Sequence, residues 1–483
     1  MSRLCELVSL GLKSIHFLYW FLIFFIISLF VFVHITWGYV DLIQILFFVQ
    51  TDLEQVDWRV VLSGFFSTLV LPLFLSVCLC VFWNRALKSG NKAKILFGCY
   101  LDGCFLFVIG MLFSYLSIPS FTNVQTDFYQ QHYVHLGEVA QKYKRNVIMI
   151  FGESLEASYT VDKAGQSRID DADAVKFDKL TEGYAQRWTQ GALFSAFTGT
   201  HIHYLSEYVL LNLDKVIRRR YRDFEGLTLS SNAMGKSYDF KLPNIEALGD
   251  IVRRHGYQTL FVQGGGVEFS GTKKFLENHG FEAKNIYGIN SFKETADFKR
   301  AKTWWGVSDK EMLALFKQKV SQLDEDKPFL AVGFTLDLHG GKNPFYENEE
   351  AVVNATINNL NEFIAWFKKQ KFYDNTTLII VGDHQRMYQG NKPGGKIYNA
   401  FFNVPEQLKQ NLNAKREFNQ IDMYPTLLEI MGMELPQRKA GMGTSLFADD
   451  KTLAEKYTYY EQQDVFLKND DFYMRLWSQE KMF

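Results

Sequence analysis

The stretch N-V-I-M-I-F-G-E-S-L-E-A-S-Y, residues 146–159, decides the reading of this chain. Residues 146–151 form a short apolar run rich in β-formers, and Gly152 bounds it. Such a run reads as a buried strand ending in a turn. Glu153 stands just past its end. Three further runs repeat the pattern. Residues 376–381 (TTLIIV) lead into Gly382, Asp383 and His384, and residues 329–336 lead into Asp337, Leu338 and His339. Residues 259–263 come after a helix-like stretch at 244–255. Strands alternating with helical stretches predict an α/β domain, with a mostly parallel central sheet flanked by helices.

In such sheets the ligand crevice lies outside the carboxyl ends of the strands. Glu153, the Asp383–His384 pair and the Asp337–His339 stretch all fall at that rim. Taken singly, a Glu after a strand is usually a solvated cap, and a lone His is usually packed or at the surface. Their coincidence on three strand ends points to a site. Carboxylates joined by imidazole suit Mn²⁺, Mg²⁺ or Zn²⁺.

Working outward, the 483 residues suggest two or three structural units. The net charge of −1 carries no nucleic-acid-type basic excess. There is no internal repeat, P-loop or dinucleotide fingerprint. All five cysteines (Cys5, Cys78, Cys80, Cys99 and Cys104) lie in the apolar N-terminal part. The domain beyond residue 120 therefore lacks disulfides, and its metal ligands must be oxygen and nitrogen.

Residues 1–120 read as a membrane anchor. Stretches 15–40, 60–83 and 95–118 are each long enough to span a bilayer, which takes about 20 apolar residues. Residues 42–49 are a fourth crossing or an interfacial piece. The connection after the second span carries Arg85, Lys88, Lys92 and Lys94, whereas that after the first carries Asp41, Asp52, Glu54 and Asp57. The positive-inside rule puts the basic loop in the cytoplasm, with Arg3 and Lys13 on the same side. Three spans then deliver the rest of the chain to the outside. Residues 121–145 are expected to be a linker with a short helix in their second half, 146–447 the catalytic domain, and 448–483 an extension packed on it. That extension mixes helix-like and β-like patches and is a candidate for a small antiparallel sheet.

The motifs GESLE (152–156), GDH (382–384) and IDMYPTLLEIMG (421–432) resemble the sulfatase-like transferases. YQTLFVQGGGVEFSGTKKFLENHGF (257–281), WGVSDKEML (305–313) and GMGTSLF (441–447) extend the likeness in order along residues 146–447. The look-alikes are the bacterial phosphoglycerol transferases that modify periplasmic glucans and the lipoteichoic acid synthases. The resemblance implies an inner-membrane, multi-pass enzyme with an extracytoplasmic catalytic domain. It implies a divalent metal, with manganese first and magnesium or zinc as alternatives. A Thr would attack phosphatidylglycerol or a similar phospholipid, hold the phosphoglycerol group and pass it to a glycan or polyol-phosphate acceptor. Carried over residue by residue, Glu153, Asp383 and His384 match metal ligands. His339 matches a phosphate contact, and Trp305 and Asp309 match a segment lining the glycerol site.

The nucleophile segment departs from the pattern. The family has a Thr opening a helix roughly 45–50 residues after the Glu, where a helix N-terminus favours phosphate. Its local form is G-T-x-[YW]-T, then small residues and S-Q-x-G. Here Gly199 and Thr200 match the start, but His203 stands at the second Thr and no S-Q-x-G comes after it. Thr200 is accordingly the expected nucleophile and fourth metal ligand, ahead of Thr198 and Ser195. Read one base out of frame from Ile202, with a permitted choice of codons, the stretch gives TLSFGICSSQFGQG, close to the family pattern. An out-of-frame segment at 201–222 would leave the chain a disabled, membrane-tethered binding module. A phosphoethanolamine transferase is the neighbouring reading, though such enzymes commonly carry outer-domain disulfides. A true sulfatase needs a Cys or Ser in a C/S-x-P-x-R context, which is absent here.

Overall fold

The computed structural model describes residues 16–32, 58–89, 126–202, 242–302, 304–340, 343–386, 394–410, 412–466, 468, 470–477 and 481–483. The chain divides into two compact units, residues 1–42 with 56–120 and residues 43–55 with 121–483. In the first unit, Leu62–Arg85 is a helix long and apolar enough to cross a membrane, and His16–Phe32 is a shorter apolar helix. Trp20, Ile23 and Phe24 pack with Leu75 and Leu79. Phe65, Phe66, Phe74 and Val77 remain exposed. The span expected at 95–118, the piece at 42–49, and Lys92 and Lys94 lie outside the described residues.

The second unit is built on a six-stranded sheet. Its strands are β1 (Asn146–Gly152), β2 (Gln258–Gln263), β3 (Ile286–Tyr287), β4 (Phe329–Phe334), β5 (Thr376–Gly382) and β6 (Asn399–Phe402). Their spatial order is β3-β2-β4-β1-β5-β6. All pairs are parallel except β5 with β6, so the sheet is mixed, with an antiparallel edge strand. A four-residue strand carrying two phenylalanines has too short a pattern to declare its direction in advance.

Unbroken apolar runs form these strands because both faces of the sheet are covered. Side chains alternate across the pleat. Val147, Met149 and Phe151 of β1 enter one core, together with Leu330, Val332, Ile379 and Val381. Ile148 and Ile150 enter the other, with Ala331, Leu378 and Ile380. Helices α1 (Thr189–Thr198), α2 (Leu248–Arg254) and α5 (Met423–Ile430) cover the first face. Helices α3 (Asp309–Val320) and α4 (Glu349–Phe367) cover the second. Both α3 and α4 start on capping side chains: Ser308 accepts from Glu311 N, and Asn348 accepts from Ala351 N.

Two local expectations are corrected. The helix before the domain is Phe128–His132, in the first half of the linker. The remainder instead makes single bridges, Val134 to Gly441 and Gln141 to Met433. The C-terminal extension is helical, at Leu453–Lys456, Tyr459–Phe466 and Asp471–Leu476, and adds no sheet among the described residues. A capping box between Thr452 and Glu455 starts its first helix, and the Asp470 carboxylate accepts from Tyr473 N to start the last. Leu453, Phe466, Tyr473 and Leu476 are buried in the first core.

Close packing at the sheet's carboxyl end is tightest at Gly382. A Cβ there would lie 2.3 Å from Leu155 O and 2.5 Å from Ile397 Cγ2. Gly382→Ala is expected to destabilise the domain by about 1–3 kcal/mol through overpacking. Chemical denaturation checks this, and unchanged stability would contradict the packing described.

Candidate metal centre and active site

Strand register brings the site together. Gly152 of β1 pairs with Gly382 of β5, and Phe151 pairs with Phe334 of β4. The next residue on each strand, Glu153, Asp383 and Thr335 respectively, therefore leaves the sheet beside the others. Ligand atoms of Glu153, Asp383 and His384 all lie within 4.8 Å of one another, and all three residues are buried. The backbone turns at once after β1: Ser154 has φ 50°, and its N–H donates to Asp383 Oδ1 at 2.8 Å. His384 N donates to the same oxygen at 2.7 Å, and Glu153 N donates to Thr335 Oγ1 at 3.0 Å. The first two bonds fix the Asp383 carboxylate from the main chain, and the third fixes the backbone that carries Glu153.

The imidazole of His384 completes the group. Its Nε2 lies 3.2 Å from Asp383 Oδ2 and 3.7 Å from Glu153 Oε1, and its Nδ1 meets Gln385 O at 2.7 Å. Asp383 Oδ2 is buried and accepts no hydrogen bond among the described residues. Burial, and then the Glu153 carboxylate, push Asp383 up to about 7 from 3.8. Burial disfavours the imidazolium of His384, but Asp383 and Glu153 outweigh it and raise its pKa. Two buried carboxylates facing one imidazole, with a carboxylate oxygen left over, make a donor set that fits a divalent cation.

The structure also supplies parts that the sequence did not announce. Thr189, the first residue of α1, donates from Oγ1 to Glu153 Oε2 at 3.1 Å and stands 3.5 Å from His384 Nε2. Buried Glu182 accepts from Gln385 N at 2.8 Å and pairs with Arg187 at 3.2 Å. Burial raises the pKa of Glu182 against the opposing pull of Arg187 and His384. Gln420 Nε2 donates to the carbonyls of Gly382 and Asp383, at 2.8 and 3.0 Å. No local pattern marks these residues, because each acts on a strand end distant in the chain.

Thr200 is not part of the group. Thr189 at the cluster fixes one end of α1, and Gly199 caps the other in the left-handed region at φ 65°. At about 1.5 Å per residue the helix is roughly 15 Å long, which puts Thr200 beyond ligand reach. Thr200 is buried, with its Oγ1 unpartnered among the described residues, while Thr198 Oγ1 donates to Phe194 O. His203 and the rest of the atypical segment to residue 222 lie outside the described residues.

The expected substrate residues divide. The rings of Trp305 and His339 meet at 4.8 Å, both half-buried, with Phe269 6.4 Å from Trp305. The glycines of residues 264–266 permit this wall: Gly265 bridges Gly306, where a Cβ would lie 2.4 Å from Gly264 O. Asp309, by contrast, is buried, at 1% exposure. Its Oδ1 accepts from Leu336 N and Asp337 N at 2.6 and 3.1 Å, tying the start of α3 to the end of β4. Its pKa is raised well above the usual value by burial and by the nearby Asp337 carboxylate.

Protons and a cation compete for the triad. Below about pH 7 Asp383 holds a proton that an arriving ion must displace, and the Asp383 and Glu153 carboxylates, which favour the protonated His384 ring, add to that competition. Affinity for Mn²⁺ is expected to weaken by about tenfold or more per pH unit as pH falls below 7. The raised Asp383 pKa acts in the opposite sense on the metal-free fold: the contribution of this group to stability is lost as pH rises from 3.8 through about 7. Calorimetric titration at several pH values checks the first expectation, and pH-independent affinity would contradict it.

The family model described as Sulfatase matches residues 145–433. Phosphoglycerol transferase I of Xanthomonas campestris pv. campestris (strain B100) is 22% identical over 376 residues, covering 71% of this chain and 50% of that protein. Phosphoglycerol transferase I of Salmonella choleraesuis (strain SC-B67) is 25% identical over 365 residues, covering 69% and 43%. The chain thus spans half or less of these relatives' length. Among solved structures, an alkaline phosphatase superfamily protein from Vibrio parahaemolyticus aligns with TM-score 0.46 and 20% identity, over 65% of this chain and 72% of that one. The lipoteichoic acid synthase LtaP from Listeria monocytogenes aligns with TM-score 0.45 and 15% identity, over 64% and 79%. With a family model covering well over half its length, and with acidic and histidine side chains gathered at the sheet's carboxyl end, the chain belongs to the sulfatase family.

Proposed function

We propose that this chain is a membrane-anchored, metal-dependent phosphoglycerol transferase. It takes the phosphoglycerol group from phosphatidylglycerol, or a similar phospholipid, and delivers it to a glycan or polyol-phosphate acceptor outside the cytoplasmic membrane. The observation that carries the reading is the buried Glu153–Asp383–His384 group at the ends of adjacent parallel strands. The names of the relatives direct it to phosphoglycerol. The exposed apolar side chains of Leu62–Arg85, with Arg85 and Lys88 at its end, support the anchor and its orientation.

Glu153, Asp383 and His384 are the residues that would hold the ion. A divalent cation there, manganese being our first choice, would neutralise phosphate oxygens and lower the pKa of an attacking hydroxyl. The protein's own groups do the positioning. His339 offers an imidazole donor to a phosphate oxygen, and Trp305, its ring tilted 47° against that imidazole, gives the glycerol group an aromatic wall. Asp309 acts at a distance, by holding the β4 end from which His339 projects. Glu182 and Gln420 keep the Asp383–His384–Gln385 backbone in place.

The test uses the purified full chain in detergent, phosphatidylglycerol and Mn²⁺, with diacylglycerol release as the readout. Release is expected with Mn²⁺, and EDTA or Glu153→Ala is expected to lower it by at least about 100-fold. Release indifferent to EDTA would remove the metal from the reading. His339→Ala is expected to lower kcat/KM for phosphatidylglycerol by about 10- to 100-fold while leaving calorimetric Mn²⁺ affinity unchanged. Equal losses of both would make His339 part of the metal group instead.

A further inference from the structure

Resting on the metal-dependent reading above, we infer that Gln462, in the C-terminal extension, is a positioning residue for the metal centre. It acts through a buried relay of side-chain amides that ends on the peptide groups of Asp383. Gln462 lies on the helix Tyr459–Phe466, outside the residues 145–433 that the family model matches.

The relay joins Gln462, Asn419, Gln186 and Gln420, none of them more than 4% exposed. Gln462 Oε1 accepts from Asn419 Nδ2 at 3.4 Å, and Asn419 Oδ1 accepts from Gln186 Nε2 at 3.3 Å. Gln186 Oε1 accepts from Gln420 N at 3.0 Å, and Gln420 Nε2 donates to Gly382 O and Asp383 O at 2.8 and 3.0 Å. Backbone groups fix the sense of each amide. Gln462 Nε2 donates to Tyr457 O at 3.0 Å. Asn419 Oδ1 also accepts from Ile421 N, and Gln186 Oε1 from Gly183 N, each at 3.0 Å. An amide turned over at any link would set donor against donor or acceptor against acceptor. Gln420 leaves its own Oε1 buried and unpartnered among the described residues while its amino group serves the two carbonyls. The packing is close: a Cβ at Gly183 would lie 2.8 Å from Asn419 Nδ2 and 2.8 Å from Gln186 Cδ.

The far end of the relay orients a candidate ligand. A peptide group is planar, so holding its oxygen also sets the direction of its N–H. The peptide that carries Asp383 O ends at His384 N, which donates to Asp383 Oδ1 at 2.7 Å. The peptide that carries Gly382 O ends at Asp383 N, which donates to Gly152 O at 3.2 Å. Gln186 reaches the same strand end by a second route, because the Gly183 N–H that it binds follows Glu182, the acceptor of Gln385 N. Loss of the Gln462 amide strands Asn419 Nδ2 in the core. Its recovery of a partner requires a turn of Asn419 that gives up the bonds to Gln186 and Ile421. A fully satisfied buried network is rigid enough to pass such a change along, and partners standing behind metal ligands tune metal affinity.

The test is calorimetric Mn²⁺ titration of the full chain in detergent, beside thermal unfolding of the same samples. Gln420→Met is expected to weaken Mn²⁺ binding about 10- to 100-fold, and Gln462→Met about 3- to 10-fold. With Gln420→Met present, adding Gln462→Met is expected to change affinity less than about two-fold, because its effect passes through Gln420. Gln462→Glu, kept neutral by burial, retains an acceptor for Asn419 Nδ2 and a donor for Tyr457 O, and is expected within about two-fold of the parent. Phe466→Leu, on the same helix and packed against Phe128 and Tyr129, is expected to lower the unfolding temperature and leave affinity unchanged. If Gln462→Met does not fold, Gln462→Asn, one methylene short of Asn419, takes its place with the same expectation. Parent affinity in the Gln462 variant, an equal loss in Phe466→Leu, or independent losses that multiply in the double variant would overturn the inference and leave the metal centre standing. A parent chain that binds no Mn²⁺ overturns the metal reading beneath it.

Discussion

The parallel pairing of Gly152 with Gly382 is the constraint on which the rest of the site depends. Both strands are buried on both faces, so their ends cannot shift without moving the two cores. The residues just past these glycines must emerge together, and each strand places a carboxylate there. Two carboxylates brought into a buried place repel one another and lose hydration. Most of the surrounding chemistry answers that cost. Backbone N–H groups of Ser154 and His384 bond one oxygen of Asp383, Ser154 Oγ and Thr189 Oγ1 bond the two oxygens of Glu153, and His384 stands between them. A divalent cation is the remaining counter-charge that such a donor set accommodates.

Other motifs turn out to be supports for that strand end. In residues 421–432, Asp422 accepts from Thr444 N and Asn419 N, and Thr426 Oγ1 accepts from Leu446 N. These bonds fasten residues 441–447 to α5 and fix Gln420, which reaches the carbonyls of Gly382 and Asp383. Asp309 does similar work on the other side by binding the two N–H groups just beyond Thr335. The aromatic wall of Trp305 and His339 is thereby carried on the same rigid rim as the carboxylates.

The strands and the three ligand candidates were legible because buried parallel strands are continuous apolar runs and the ligands are the first residues past them. Register was not legible, since it depends on which strands are neighbours, and so neither was the pairing of Glu153 with Asp383. Thr189 left no local signal: it comes after Trp188, a residue that does not cap, and its partners are 36 and 195 residues away. Thr200 drew attention by motif position alone, and the ten-residue helix between the two threonines is what separates them. The C-terminal helices did leave signs. Thr452 with Glu455 is a capping box, and Asp470 caps the turn three residues on. The antiparallel edge strand, Asn399–Phe402, is too short for its pattern to reveal direction.

Anomalous diffraction from crystals of the protein grown with Mn²⁺ bears most directly on the metal centre. A single strong peak is expected with Glu153, Asp383 and His384 at about 2.0–2.3 Å, and with Thr189 Oγ1 at its edge. A structure at saturating Mn²⁺ with no peak among these residues, or with the ion bound elsewhere in the domain, would contradict the assignment of this site.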